Sequence, residues 1–189
     1  MDYKEDIKEA CKVMNNGGII LYPTDTIWGI GCDATNPDAV KKVYDIKKRN
    51  DSKALIVLVD SEPKVEFYVN DVPSITWDMI EMNTKPLTVI YDNARNLATN
   101  LLADDGSVGM RITNEDFSKQ LCQRFRKAIV STSANISGEP SPKSFADISD
   151  EIKNAVDYIV KYRQNDNTPA KPSSIVKIGK GGTVKVIRE

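Results

Sequence analysis

The apolar residues of this chain change period repeatedly, from helical spacing to the unbroken or alternating runs of strands, and that alternation restricts it to a mixed α/β fold. Ile7, Ala10, Cys11 and Met14 share one helical face, and the pattern stops at Asn15-Asn16-Gly17-Gly18. Ile19-Ile20-Leu21-Tyr22 follows and reads as a buried strand. Asn36-Pro37-Asp38 offers a capping amide, a first-turn proline and an early acid, so Val40, Val43 and Tyr44 predict a helix ending close to Lys47 and Arg49. Residues 54–59 and Leu87-Thr88-Val89-Ile90-Tyr91 have the length and β-branched content of strands. Ile75, Met79 and Met82 predict a helix after Pro73.

Further on, Asn114 is the expected cap of a helix with Glu115 and Asp116 in its first turn and Phe117, Leu121 and Phe125 facing inward. A short strand over 128–132 should then lead into a Ser-Ala-Asn loop. Residues 174–178 and 183–187 predict a hairpin across Gly179-Lys180-Gly181-Gly182. The stretches 135–145 and 163–173, rich in Pro, Ser and Asn, are expected to be mobile or to cover a ligand.

A chain of 189 residues with 40% hydrophobic content supports one substantial core, so a single domain over 1–189 is expected. No apolar run reaches the ~18 residues of a membrane span, and Met1-Asp2-Tyr3-Lys4-Glu5-Asp6 lacks a secretory apolar stretch, so a soluble cytoplasmic protein is expected. The three cysteines, Cys11, Cys32 and Cys122, are widely spaced and odd in number, which fits buried thiols better than disulfides or a zinc motif.

The 26 basic and 27 acidic side chains nearly cancel, which gives no general support for nucleic-acid binding. There is no histidine. That removes Ser-His-Asp and Cys-His nucleophilic systems, His-ligated metals and the commonest general base near neutral pH. Any catalysis must rest on positioning and electrostatics.

Three segments carry the chemistry: Tyr22-Pro23-Thr24-Asp25-Thr26, Lys47-Lys48-Arg49 and Ser131-Thr132-Ser133-Ala134-Asn135-Ile136-Ser137-Gly138. Together they gather hydroxyl, amide and fixed-cation donors suited to phosphates and carboxylates. Taken alone, the Lys41 to Lys53 cluster reads equally well as a solvated helix end. Gly17-Gly18 and Gly179-Lys180-Gly181-Gly182 match neither nucleotide-binding glycine pattern and read as turns.

In order and spacing these segments, with Val108-Gly109-Met110-Arg111 and Pro172-Ser173-Ser174-Ile175-Val176, resemble the YrdC family over roughly residues 7–188. The resemblance implies a twisted, mixed and largely antiparallel sheet flanked by helices, with a basic concave cavity. It implies a nucleotidyltransferase that makes threonylcarbamoyl-AMP and pyrophosphate from L-threonine, bicarbonate and ATP, with magnesium accompanying ATP. A threonylcarbamoyl transferase complex would then modify adenosine 37 of tRNA, and tRNA itself is a possible partner. A free-standing enzyme is expected, without the added domain of longer members.

By the same resemblance, Lys47, Arg49, Ser133 and Asn135 form the catalytic anion site and contact ATP. Thr24, Thr26, Arg111, Ser131, Ser173 and Ser174 are candidates for threonine, and Lys53, Ser141 and Arg188 for ATP. Trp28 fits either the pocket wall or the core, with core packing the better reading. The chain departs from the family pattern at Lys53-Ala54-Leu55, at Asn83-Thr84-Lys85-Pro86 and at Ile112-Thr113-Asn114. Two other readings stay open: a non-catalytic RNA-binding module, and carbamoyl-adenylate chemistry on another acceptor.

Overall fold

The computed structural model describes residues 3–49, 55–168 and 170–189. Helix α1 (Lys4–Asn15) buries Ile7, Ala10, Cys11 and Met14 as the spacing predicts, and ends where Gly17 takes φ 72°. Strand β1 (Ile20–Tyr22) follows, then β2 (Gly29–Gly31) and α2 (Pro37–Lys47). The Asn36 side chain caps α2 by accepting from the amides of Asp38 and Ala39, at 3.0 and 3.3 Å. Next come β3 (Ile56–Val59), α3 (Glu62–Tyr68), α4 (Ile75–Met82), β4 (Leu87–Tyr91) and β5 (Val108–Ile112). Helix α5 (Asp116–Phe125), β6 (Ile129–Ser133), α6 (Asp150–Ala155), β7 (Tyr158–Ile159), β8 (Ser174–Ile178) and β9 (Val184–Arg188) complete the order.

The strands form one nine-stranded sheet in the order β7-β1-β2-β6-β3-β5-β4-β8-β9. Five of its eight pairings are antiparallel, and β1–β7, β3–β5 and β4–β8 are parallel. The expected mixed, largely antiparallel sheet is borne out, as is the β8–β9 hairpin, which carries a register shift between Ile175 and Val176. One expected cap moves by a residue. Glu115, not Asn114, caps α5, because its longer carboxylate reaches the Ser118 amide at 2.8 Å and the Ser118 hydroxyl at 2.7 Å.

Strand alternation gives the sheet two unlike faces. One carries Leu21, Ile30, Val57, Val89, Met110 and Val130, packed into a core with Val40, Val43 and Tyr44 of α2. The other face is covered only in part. Helices α1 and α5 close it over Ile20, Tyr22, Leu58 and Ile129, where Phe117 and Leu121 are fully buried. Each such large apolar side chain contributes on the order of 2 kcal/mol. Among the described residues no helix covers the rest of that face, over Ile56, Thr88, Ile90, Gly109 and Arg111, and it becomes a cavity.

Candidate active site

The cavity measures about 370 Å³, within the range of small-molecule sites. Eight residues singled out in the sequence line it: Thr26, Arg49, Arg111, Ser131, Ser133, Ser141, Ser173 and Arg188. Trp28 both lines it and is buried, with its ring 4.8 Å from that of Phe145. Lys53 lies outside the described residues.

The turn after β1 is organised around one hydroxyl. Thr24 Oγ1 donates to the Ile27 carbonyl at 2.8 Å and accepts from the Thr26 amide at 3.1 Å. Its single proton being spent, the 3.0 Å contact between the two threonine hydroxyls has Thr26 as donor. Thr26 Oγ1 in turn accepts from Arg111 Nη2 at 3.2 Å. Thr24 is thus the scaffold of the turn, and Thr26, lining the cavity, presents an acceptor lone pair.

Arg111 enters from β5 and is 4% exposed. Its Nη2 lies 2.9 Å from Asp25 Oδ1, close enough for an ion pair but without the alignment of a hydrogen bond. Among the described residues Arg111 Nε has no hydrogen-bond partner. A buried, unmet donor on the cavity wall is a ready contact for an anion. Burial pushes the Asp25 carboxyl above its usual range, and the Arg111 charge opposes that shift.

Lys47 is 2% exposed and does not line the cavity. Its ammonium donates to the carbonyls of Ser133 and Asn135 at 2.6 and 2.7 Å, and the Lys47 carbonyl accepts from the Ser137 amide at 2.9 Å. The end of α2 therefore clamps the Ser-Ala-Asn loop. Asn135 is bound within that loop, its amide donating to Glu139 O at 2.7 Å. Burial, then the nearby Arg49, lowers the Lys47 pKa to about 8.

The far wall is tied together by Ser173. Its hydroxyl lies 2.8 Å from that of Thr88, and its carbonyl accepts from Arg188 Nε and Nη2 at 3.0 and 2.7 Å. Burial, with the Arg111 charge adding to it, lowers the Arg188 pKa. The two guanidinium groups thus sense each other, which favours an anion in the cavity. Ser174 does not line it, and its amide donates to the Pro86 carbonyl.

Two participants escape a role in the sequence reading. Asp25 sits inside a quoted motif, but its pairing with Arg111 spans strands distant in sequence. Thr88 carries a signal, as the polar residue in the apolar run Leu87 to Tyr91. Arg163 begins the 163–173 stretch and ties it to the turn, donating to Thr24 O at 3.1 Å and to Asp166 at 2.9 Å.

Fold and cavity together define an α/β protein with an arginine-lined pocket. Residues 12–189 match the family Sua5_yciO_yrdC, described as "Telomere recombination", and the chain belongs to that family. It is 33% identical over 178 residues to the threonylcarbamoyl-AMP synthase of Pseudoalteromonas translucida (strain TAC 125), covering 93% of this chain and 94% of that protein. The threonylcarbamoyl-AMP synthase of Coxiella burnetii (strain RSA 331 / Henzerling II) is 32% identical over 140 residues, 74% of this chain and 75% of that one.

Among solved structures, P. abyssi Sua5 complexed with L-threonine superposes with a TM-score of 0.87 at 20% identity, over 100% of this chain and 54% of that one. The chain thus spans about half the length of that protein. E. coli YciO superposes with a TM-score of 0.84 at 22% identity, over 98% of this chain and 89% of that one. Both likenesses concern the fold.

Proposed function

We propose that the chain is an enzyme that synthesises threonylcarbamoyl-AMP from L-threonine, bicarbonate and ATP, releasing pyrophosphate and water. The observation that carries this reading is the nearly full-length relationship to a threonylcarbamoyl-AMP synthase. The cavity's chemistry supports it. The threonine amine attacks the bicarbonate carbon, a C–N bond forms and water leaves; a carbamate oxygen then attacks the α-phosphorus as the bond to pyrophosphate breaks. These steps need alignment and charge neutralisation more than a strong base, which suits a chain without histidine.

In this reading Arg49 and Arg188 face the phosphates, with Ser133, Ser141 and the loop's remaining donors completing the anion site. Arg111 Nε takes the threonine carboxylate, and Thr26 accepts from the amine or hydroxyl. Ser131 and Ser173 supply further hydroxyls. Lys47 and Asn135 hold the loop that carries Ser133. Magnesium enters with ATP as part of the substrate, held mainly by the phosphates and water. The product serves threonylcarbamoyl modification of tRNA adenosine 37 through a separate transferase in the cytoplasm; no described helix is long and apolar enough to cross a membrane.

The test is pyrophosphate release from magnesium and ATP, with bicarbonate present and each amino acid supplied in turn. Release should require both L-threonine and bicarbonate. Folded protein that releases none with any amino acid, or that turns over carbamoyl phosphate instead, would overturn the reading.

A further inference from the structure

A second cavity, of about 630 Å³, opens against the other face of the same sheet. Thr88, Ile90 and Ile175 project into the first cavity, whereas Tyr91 and Ile178, on the alternate face of β4 and β8, line the second. Its apolar lining is Val69, Pro73, Ile75 and Ile178, and its rim carries Asn70, Asp71, Ser74, Asp92 and Asn93. The rim is held in shape by backbone bonds, from Asn70 N to Asn93 O at 3.1 Å and from Gly182 N to Gly179 O at 3.2 Å.

Tyr91 is the telling residue. It is 2% exposed, and its phenol makes no hydrogen bond among the described residues. Burial alone raises its pKa, with no partner contributing. The ring is buried while the residue lines the cavity, so the hydroxyl is left as a donor and acceptor for whatever occupies it. The rim is also acidic. Lys177 divides one positive charge between Asp92 at 3.2 Å and Asp105 at 2.9 Å, and Asp71 has no ion pair among the described residues.

We propose that this cavity is a second ligand site, separate from the adenylating one, that takes a small amphipathic amine. The ammonium group lies among Asp71, Asp92 and the Tyr91 hydroxyl, and the apolar body covers Ile75 and Ile178. A free anion is disfavoured by the two carboxylates, and a large polar ligand by the apolar lining.

The test is an amide-shift titration of the whole chain, without substrates, using 2-phenylethylamine, its neutral counterpart 2-phenylethanol and its anionic counterpart phenylacetate. The amine should shift residues 69–75, 91–93 and 178–182, and bind about threefold to fivefold more tightly than the alcohol, the scale of one partly exposed ion pair. Phenylacetate should bind most weakly. Asp71→Asn, at a position with φ 56° that asparagine also adopts, should erase the preference for the amine and leave the alcohol unchanged. Tyr91→Phe should weaken amine and alcohol alike. No shifts in those segments, an equal or stronger response to phenylacetate, or an unchanged amine preference in Asp71→Asn would each overturn the proposal, whatever the outcome of the pyrophosphate assay.

Discussion

The ammonium nitrogen of Lys47 lies 2.6 Å from the carbonyl oxygen of Ser133, so the last turn of α2 holds the loop that lines the active cavity. Burial and Arg49 lower its pKa to about 8 from an ordinary 10.5. Between those two values the unfolded chain binds the extra proton. This group's contribution to stability is therefore least favourable below about pH 8 and improves as pH rises toward the unfolded value. The clamp's charge, by contrast, is present only below that folded pKa. Pyrophosphate release should fall above about pH 8 with a single alkaline limb, and Lys47→Arg, whatever its residual rate, should lose that limb because guanidinium stays charged.

Arg49 stands two residues on but in a different place, on the cavity wall. Arg49→Ala should lower turnover by more than about 100-fold, the scale of a lost transition-state donor, and cost less stability than removal of the more deeply buried Lys47. Lys47→Ala should lower both, since it leaves the Ser133 and Asn135 carbonyls without their buried donor. Steady-state kinetics and urea unfolding on the two variants separate the roles. Equal loss of stability in both would contradict the division.

The difference between those two residues shows what the sequence could and could not convey. The sequence marks both as members of an anion site and predicts the helix to end close to them, as it does, but not which of the two turns inward. Lys48 adopts φ 49° as the C-cap, and that left-handed turn puts Lys47 in the protein interior and Arg49 toward the cavity. The helices α1, α2 and α5 were legible because each buries one apolar face and has a recognisable start or stop, whereas α4 forms as its spacing predicts but leaves Ile75 and Met82 exposed. Strand β2 was not, because Gly29-Ile30-Gly31 has little strand propensity and exists through pairing with β1 and β6. Helix α3 has Pro63 in its first turn but, at seven residues, is too short to show a helical period. Site residues were legible as types, whereas the Asp25–Arg111 and Thr88–Ser173 pairs depend on strand order that no local pattern states.

The Asp25–Arg111 pair leads to a prediction about both ligand and pH. Removing Arg111 takes away the proposed threonine contact and leaves a buried carboxylate without its opposing charge. Arg111→Ala should raise KM for threonine by more than about tenfold and cost on the order of 3 kcal/mol of stability. The Asp25 pKa is already raised by burial, and losing Arg111 raises it further. A folded-state carboxyl pKa above the unfolded one makes stability fall as pH rises through that interval. The stability gap between wild type and Arg111→Ala should accordingly be wider near about pH 7.5 than near about pH 4.5. A gap that narrows on going to the higher pH would refute the assigned electrostatics.

Gly31 supplies a prediction that does not involve ligands. It sits in β2 opposite Ile20, with the neighbouring Tyr22 ring folded across it. An added Cβ would lie 2.6 Å from Tyr22 Cε1 and 2.8 Å from the carbonyl oxygen of Val130. That same carbonyl accepts from the Tyr22 hydroxyl at 3.1 Å, so neither neighbour can retreat without breaking the other's position. Tyr22 is fully buried against the α1 and α5 core, which leaves the ring no space to rotate into. Gly31→Ala should therefore destabilise the fold by about 2 kcal/mol or more, as overpacking of a dense core does. Gly106→Ala serves as the comparison: it meets nothing within 4 Å and is strained only by its φ of 75°, so its loss should be nearer about 1 kcal/mol. Urea unfolding of the two variants reads the difference directly, and a Gly31→Ala protein as stable as Gly106→Ala would show that the Tyr22 ring yields where its packing says it cannot.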